Sequence, residues 1–288
     1  MTLPEKRPSR PTVPLTGTDI PHEILGSSGS WVALAPGGRR GMDDIRSLAA
    51  RIAAGGFRVL VYDRRNCGAA PVSVGGGNTE HEVWADDLHA LLQHLGALPA
   101  FIGGSSSGCR LSIDFALRYP QAVRGLLLWR VTGGAFAVKR LTEKYYGEYI
   151  RAAREGGMAA VCATAHFSEL IAVRPANREV LMTMDPAQFI KAMGEWDAQF
   201  RAGGGEPVIG ASEAQLRSIN MPACIVPGND LTHPRSAAEK LARLMPRAEL
   251  HPLMGKDLDV DVDAPANWDA KEAELAAILT AGLRRMGA

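Results

Sequence analysis

The sequence predicts an α/β fold: a mostly parallel sheet of about eight strands, with helices on both faces and a helical insertion in the second half. Three observations carry this reading. Short apolar runs alternate with amphipathic helical segments along the first 130 residues or so. Those runs are continuously apolar, as in strands buried on both faces of a parallel sheet. One of them, Ala100 to Gly103, breaks into Gly104-x-Ser106-x-Gly108, the pattern of a strand turning sharply into a helix through a serine.

In chain order, the first eleven residues are rich in proline and charge and lack the apolar run of a signal peptide, so residues 1–20 are expected to form a flexible tail. From His22 to Trp31, with Gly26-Ser27-Ser28-Gly29 as a turn signal, antiparallel strands are expected at one sheet edge. Strands are expected at Trp31 to Ala35, Arg58 to Tyr62, Ala100 to Gly103, Gly125 to Trp129 and Ala223 to Pro227. Helices are expected at Asp43 to Ala54, Thr79 to Leu95, Cys109 to Tyr119 and Pro234 to Leu244. Residues 132–218 break the alternation. They are helix-rich, hold most of the aromatics from Tyr145 to Phe200, and read as a cap over the strand ends, between core segments 21–131 and 219–288.

A chain of 288 residues with 46% hydrophobic content can bury one large core. The net charge of +1 gives no electrostatic case for nucleic acid or an anionic membrane surface. No window approaches the roughly 18 apolar residues of a membrane span. Four scattered cysteines, Cys67, Cys109, Cys162 and Cys224, fit free thiols in a reducing compartment, so a soluble cytoplasmic protein is expected. The expected partner is a small-molecule substrate, and a homodimer is compatible with the sequence.

The chemistry centres on Ser106. Small flanks at Gly104 and Gly108 suit the cramped turn that holds the hydroxyl clear of the sheet. With this motif in strand, turn and helix context, the chain resembles the α/β-hydrolase superfamily, in its capped, single-domain serine type. Three further segments agree: Ala35-Pro36-Gly37-Gly38, without the histidine usual in that loop; Tyr62-Asp63-Arg64-Arg65-Asn66-Cys67-Gly68, with Asn66 where the family has glycine; and Pro227-Gly228-Asn229-Asp230. The resemblance implies Ser106 as nucleophile, Asp230 as orienting acid, and an oxyanion hole of backbone N–H groups from Ser107 and from Gly37 or Gly38. Ser107 is expected to matter only through its amide. The implied reaction is cleavage of an ester, thioester or carbon–carbon bond, with no cofactor and no metal.

The base is the difficulty. The resemblance places a histidine after the last strand, where this chain reads Gly255-Lys256. His233, three residues past Asp230, Lys256 with a depressed pKa, and His251 are candidates, and a serine working without any standard base is a further one. That last case keeps a lyase or decarboxylase and a catalytically silent binding protein open as alternatives.

Other residues carry weaker signals. Arg130, following Trp129 at the end of a buried strand, is expected to meet a substrate anion or an acid from the cap, and Arg64 and Arg65 present the same choice. Trp129 and Arg130 are the expected substrate contacts. Cys67 and Cys109 are expected to border the cleft or to act as small buried hydrophobes. Asp257, Asp259, Asp261 and Asp263 alternate with apolar residues; at strand spacing they share one side, read as a solvated edge, a cation site or a carboxylate aimed at the pocket. His81, His89 and His94 read as part of a polar helix face.

Overall fold

The computed structural model describes residues 11–15, 18–75 and 77–288. Its centre is one eight-stranded sheet in the order β1-β2-β4-β3-β5-β6-β7-β8. The strands are β1 (Thr12–Leu15), β2 (Thr18–Leu25), β3 (Trp31–Ala35), β4 (Arg58–Tyr62), β5 (Ala100–Ser105), β6 (Val123–Trp129), β7 (Ala223–Val226) and β8 (Ala248–Leu250). β1 and β2 run antiparallel at one edge, and β3 through β8 are mutually parallel. The edge therefore begins earlier than the sequence suggests. Residues 12–15 and 18–20, assigned to a tail by composition, pair into the sheet, because Val13 and Ile20 are apolar enough to bury against the core. Of the other tail residues, 1–10, 16 and 17 lie outside the described residues.

Side-chain alternation feeds two cores. In β3, Val32 and Leu34 face the cluster built with α1 (Arg46–Ala54) and α12 (Glu272–Arg285), whereas Ala33 and Ala35 face the cluster built with α2 (Glu80–His94), α3 (Ser107–Arg118) and α10 (Arg235–Leu244). Helices thus cover both faces, which is why the parallel strands read as unbroken apolar runs. The smaller helices α9 (Glu213–Ser218) and α11 (Pro265–Asp269) flank β7 and α12 in sequence.

Between β6 and β7 the chain leaves the sheet for α4 (Ala135–Thr142), α5 (Glu148–Ala163), α6 (Ala165–Val173), α7 (Ala176–Thr183) and α8 (Pro186–Ala202). This insert has its own core, with Tyr146, Tyr149, Phe167, Phe189, Met193 and Phe200 among its buried members. A π-helical turn, Glu143–Gly147, joins α4 to α5. Against the sequence reading, the run Ala135–Val173 is long and apolar enough, by length and composition, to cross a membrane, and 28% of its most apolar window is buried. It is no straight rod, however. The backbone is non-helical at Gly156 and Gly157, and Thr164 is extended.

Candidate active site

Ser106 sits between β5 and α3 with φ 54° and ψ −110°, a conformation that residues with side chains rarely adopt. The neighbouring glycines make the bend feasible. A β-carbon on Gly104 would lie 2.6 Å from the Ala35 carbonyl oxygen, and one on Gly108 would overlap that same oxygen. The turn is pinned by the Ser106 N–H, which donates to the Trp129 carbonyl at 3.1 Å.

The Ser106 hydroxyl meets two partners. Its Oγ lies 2.9 Å from His233 Nε2 and 3.1 Å from Thr132 Oγ1. When the serine proton points to the imidazole, the threonine hydroxyl must be the donor in the second contact. Nδ1 of His233 in turn lies 2.9 and 3.1 Å from the two oxygens of Asp230. A continuous hydrogen-bonded line, Ser106–His233–Asp230, results.

Asp230 and His233 share the loop after β7, and the acid is fully buried. Its Oδ1 accepts from the backbone N–H of Thr232 at 3.0 Å and of His233 at 2.8 Å, while Oδ2 accepts from the Asp263 N–H at 2.9 Å. Burial alone would raise this carboxyl, but the hydrogen bonds and charge of the imidazole, with the backbone donors, hold it well below its ordinary range. For His233 burial wins. It lowers the imidazole despite Asp230, and the Arg130 charge lowers it further, so the ring is neutral at pH 7 with a lone pair for the serine proton.

The other candidates for the base lie elsewhere. Lys256 is exposed and does not line the cleft around Ser106. His251 Nε2 contacts Glu249 at 3.3 Å and Arg285 at 3.0 Å on the surface beyond β8. The position after β8 is occupied by a loop with a different task. Val260 and Asp261 accept backbone hydrogen bonds from Leu231 and Thr232, and Leu258 donates to Asn229, so this segment braces the loop that carries His233. Asp257 to Asp263 form no strand; Asp257, Asp259 and Asp261 are exposed, and Asp263 alone turns inward, between Asn229 and Asn267. Among the described residues no group of three or more His, Cys, Asp or Glu converges as a metal site.

The oxyanion loop is built more elaborately than its glycines suggest. Gly37 and Gly38 line the cleft beside Ser106, and Gly38 has φ +52°. Ser107 stands at the first position of α3, where the helix offers N–H groups with no intrahelical acceptor. Its hydroxyl also acts, contrary to expectation: it donates to the Gly38 carbonyl at 2.7 Å. Arg64 reaches the same carbonyl at 2.9 Å and the Ser107 hydroxyl at 3.1 Å, with its guanidinium over the Trp84 ring at 4.4 Å. Among the described residues its hydrogen-bond partners are a hydroxyl and backbone carbonyls, not an acid of the cap. Asp63 holds the next stretch by accepting from the N–H of Met42 at 2.7 Å and of Ala69 at 2.8 Å. Asn66 takes the glycine place with φ 62°, its amide bound to the backbone of Ser73 on both sides.

Arg39, next in the loop, bridges the sheet domain and the insert. It pairs with Glu80 at 2.9 Å, both side chains buried, and lies 5.4 to 5.6 Å from the rings of Tyr145, Tyr146 and Tyr149 of the insert.

Arg130 finds a partner that the sequence did not suggest: Asp230 itself, at 3.4 Å, with the guanidinium over Trp268 at 5.0 Å. Trp129 and Arg130 do line the cleft. Arg65 forms a two-pronged pair with Asp87 at 2.7 and 2.8 Å. All four cysteines are free and buried; the Cys109 thiol lies against the carbonyls of Gly104 and Trp129, and burial pushes it up to about 12. His81 is buried against Trp84 rather than solvated, and His89 stacks on Tyr119 at 3.9 Å. Sequence reasoning missed Thr132 and Arg39, whereas Asp263 is among the alternating acids it named and is the one that turns inward. Of the two, Thr132, three residues past β6, carried a positional hint.

Comparison with known proteins agrees with the architecture. Residues 21–129 match the family model described as the alpha/beta hydrolase fold. An uncharacterized hydrolase, YraK, of Bacillus subtilis is 29% identical over 116 residues, which span 40% of this chain and only 42% of that protein's own length. A proline iminopeptidase of Neisseria gonorrhoeae is 26% identical over 67% of this chain and 72% of its own. Among solved structures, a hydrolase from Pseudomonas aeruginosa superposes with a TM-score of 0.66 at 20% identity, covering 98% of this chain and 100% of its own. The enol-lactonase from Burkholderia xenovorans gives 0.61 at 20% identity over 94% and 100%. The fold is that of the α/β hydrolases. Residues 21–129 carry the match to that family's model, and the solved structures extend the likeness of fold over nearly the whole chain.

Proposed function

We propose that this protein is a serine hydrolase that cleaves an ester or thioester bond of a small carbonyl compound, with Ser106 as nucleophile, His233 as general base and Asp230 as the acid that orients it. The observation that carries the reading is the 2.9 Å approach of His233 Nε2 to Ser106 Oγ, continued at 2.9 Å from Nδ1 to Asp230. The relatives described as hydrolases support the reaction class.

In this mechanism Ser106 Oγ attacks the carbonyl carbon as its proton passes to His233 Nε2. The oxyanion is met by the Ser107 N–H and an N–H of the Gly37-Gly38 loop. His233 returns the proton to the leaving group, and the acyl-enzyme forms. Water then enters, gives a proton to His233 and attacks the acyl carbon, and the proton returns to Ser106 as the acid departs. Asp230 stays ionised throughout and stabilises the imidazolium. The insert helices act as a cap, for Leu141 and Tyr145 line, with Ser106, a cleft of about 330 Å³.

A lyase without a standard base, or a silent binding protein, rests on the histidine absent after β8 and on the Ala35-Pro36 loop; the 2.9 Å contact of His233 with Ser106 favours the hydrolase over both. A fluorophosphonate probe tests the proposal: labelling of the native protein that disappears in Ser106→Ala is expected, and absence of labelling on folded protein overturns it.

A further inference from the structure

The roof of the Ser106 cleft is a single helical face. Arg140, Leu141, Lys144 and Tyr145 all line it, although they fall on either side of the junction between α4 and the π-turn Glu143–Gly147. Arg140 and Lys144, like Leu141 and Tyr145, stand four residues apart and so share one helical face over the cleft. At the rim, the mostly exposed Arg40 lines the cleft as well.

Arg40, Arg140 and Lys144 share this lining with three acids, Asp44, Asp269 and Glu272, of which Glu272 is engaged by Arg51 at 2.6 Å. Arg40 has Asp44 at 3.5 Å and Arg140 has Asp261 at 3.6 Å, both acids being solvent-exposed. Lys144 has no ion-pair partner among the described residues. Its ammonium is disfavoured by burial and then by the charges of Arg140 and Arg40, which means that the three side chains feel one another. Like charges gathered at the mouth of a cleft cost free energy in the empty protein and become favourable when an anion lies between them. Arg130 does not join this set, since Asp230 engages it.

We infer that the cleft selects substrates bearing a carboxylate remote from the scissile carbonyl, held by Arg140 and Lys144 with Arg40 at the rim. The inference rests on the serine-hydrolase reading for the chemistry but not for the binding, so two measurements separate them. In the first, glutarate and its neutral diamide are titrated into the protein by calorimetry. Glutarate is expected to bind and the diamide not to, with glutarate affinity falling about tenfold or more in Lys144→Ala and in Arg140→Ala. In the second, p-nitrophenyl hydrogen glutarate is compared with its methyl ester, and the acid is expected to have the higher kcat/KM, through KM, with the preference lost in the same variants. Equal binding of diacid and diamide, or a preference indifferent to both substitutions, overturns the carboxylate inference and leaves the serine mechanism standing. Charge-selective binding without turnover or labelling overturns the mechanism alone.

Discussion

Asp230 holds a histidine only three residues further along its own loop: Nδ1 of His233 lies 2.9 and 3.1 Å from its two oxygens, and the His233 N–H donates to it at 2.8 Å. The carboxylate thereby fixes both the ring and the backbone that presents the ring. Replacing His233 with Gln should lower ester turnover about ten-thousand-fold, and Asp230→Asn by about a thousandfold or more through the wrong tautomer. Lys256→Ala should retain the turnover of the parent protein, because that side chain is exposed and outside the cleft. Steady-state rates on a p-nitrophenyl ester check all three; a collapse in the lysine variant with His233→Gln still active would reverse the assignment of the base.

The pH profile depends on the same pair. His233 is lowered from 6.5, so the neutral base persists below that pH and kcat/KM should fall on an acid limb centred beneath 6.5. Since Arg130 helps to depress the imidazole, Arg130→Met should move that limb upward. Asp230 is depressed too. The unfolded chain therefore takes up a proton there first, and the acid's contribution to stability is complete above the ordinary carboxylate pKa of 3.8 and wanes as pH drops below it. Rate profiles and acid unfolding curves measure the two effects.

At the bend itself the expected outcome is structural. Gly108→Ala drives a methyl group into the Ala35 carbonyl, which is backbone and cannot swing aside. The variant should lose several kcal/mol of stability, roughly as overpacking of a core does at its worst, and should be recovered mainly in aggregates. Soluble, fully labelled protein would contradict this.

Much of the architecture was legible because it depends on local pattern. Continuous apolar strands and the glycines around Ser106 report conditions that a few neighbouring residues satisfy by themselves. The displaced base was harder. His233 was recognisable as a candidate from its place beside Asp230, yet nothing in the spacing says that the 257–263 loop supports it through backbone carbonyls. Arg130 and Arg64 were expected to meet a substrate anion or an acid from the cap, since burial of a guanidinium demands a partner; the partners, Asp230 from the loop after β7 and a backbone carbonyl, are fixed by tertiary approach. The alternating acids failed as a strand for a related reason: their backbone groups are engaged by the neighbouring loop rather than by a sheet edge.

The thiols give a chemical check on burial. Cys67, Cys109 and Cys224 are each pushed up to about 12 by desolvation. In native protein at neutral pH a disulfide exchange reagent should titrate fewer than one thiol per chain over minutes, and all four after denaturation. Rapid reaction of Cys109 in the folded state would show that the turn beneath Ser106 opens.

Arg39 ties the glycines of the oxyanion loop to three tyrosines overhead and to Glu80 below. Under the proposed serine mechanism, swinging those helices away to admit or release a molecule would tug on the very amides that greet the developing negative charge. Such a hydrolase would be competent only when shut, and an open conformer, however well its serine and imidazole stay aligned, would idle in water.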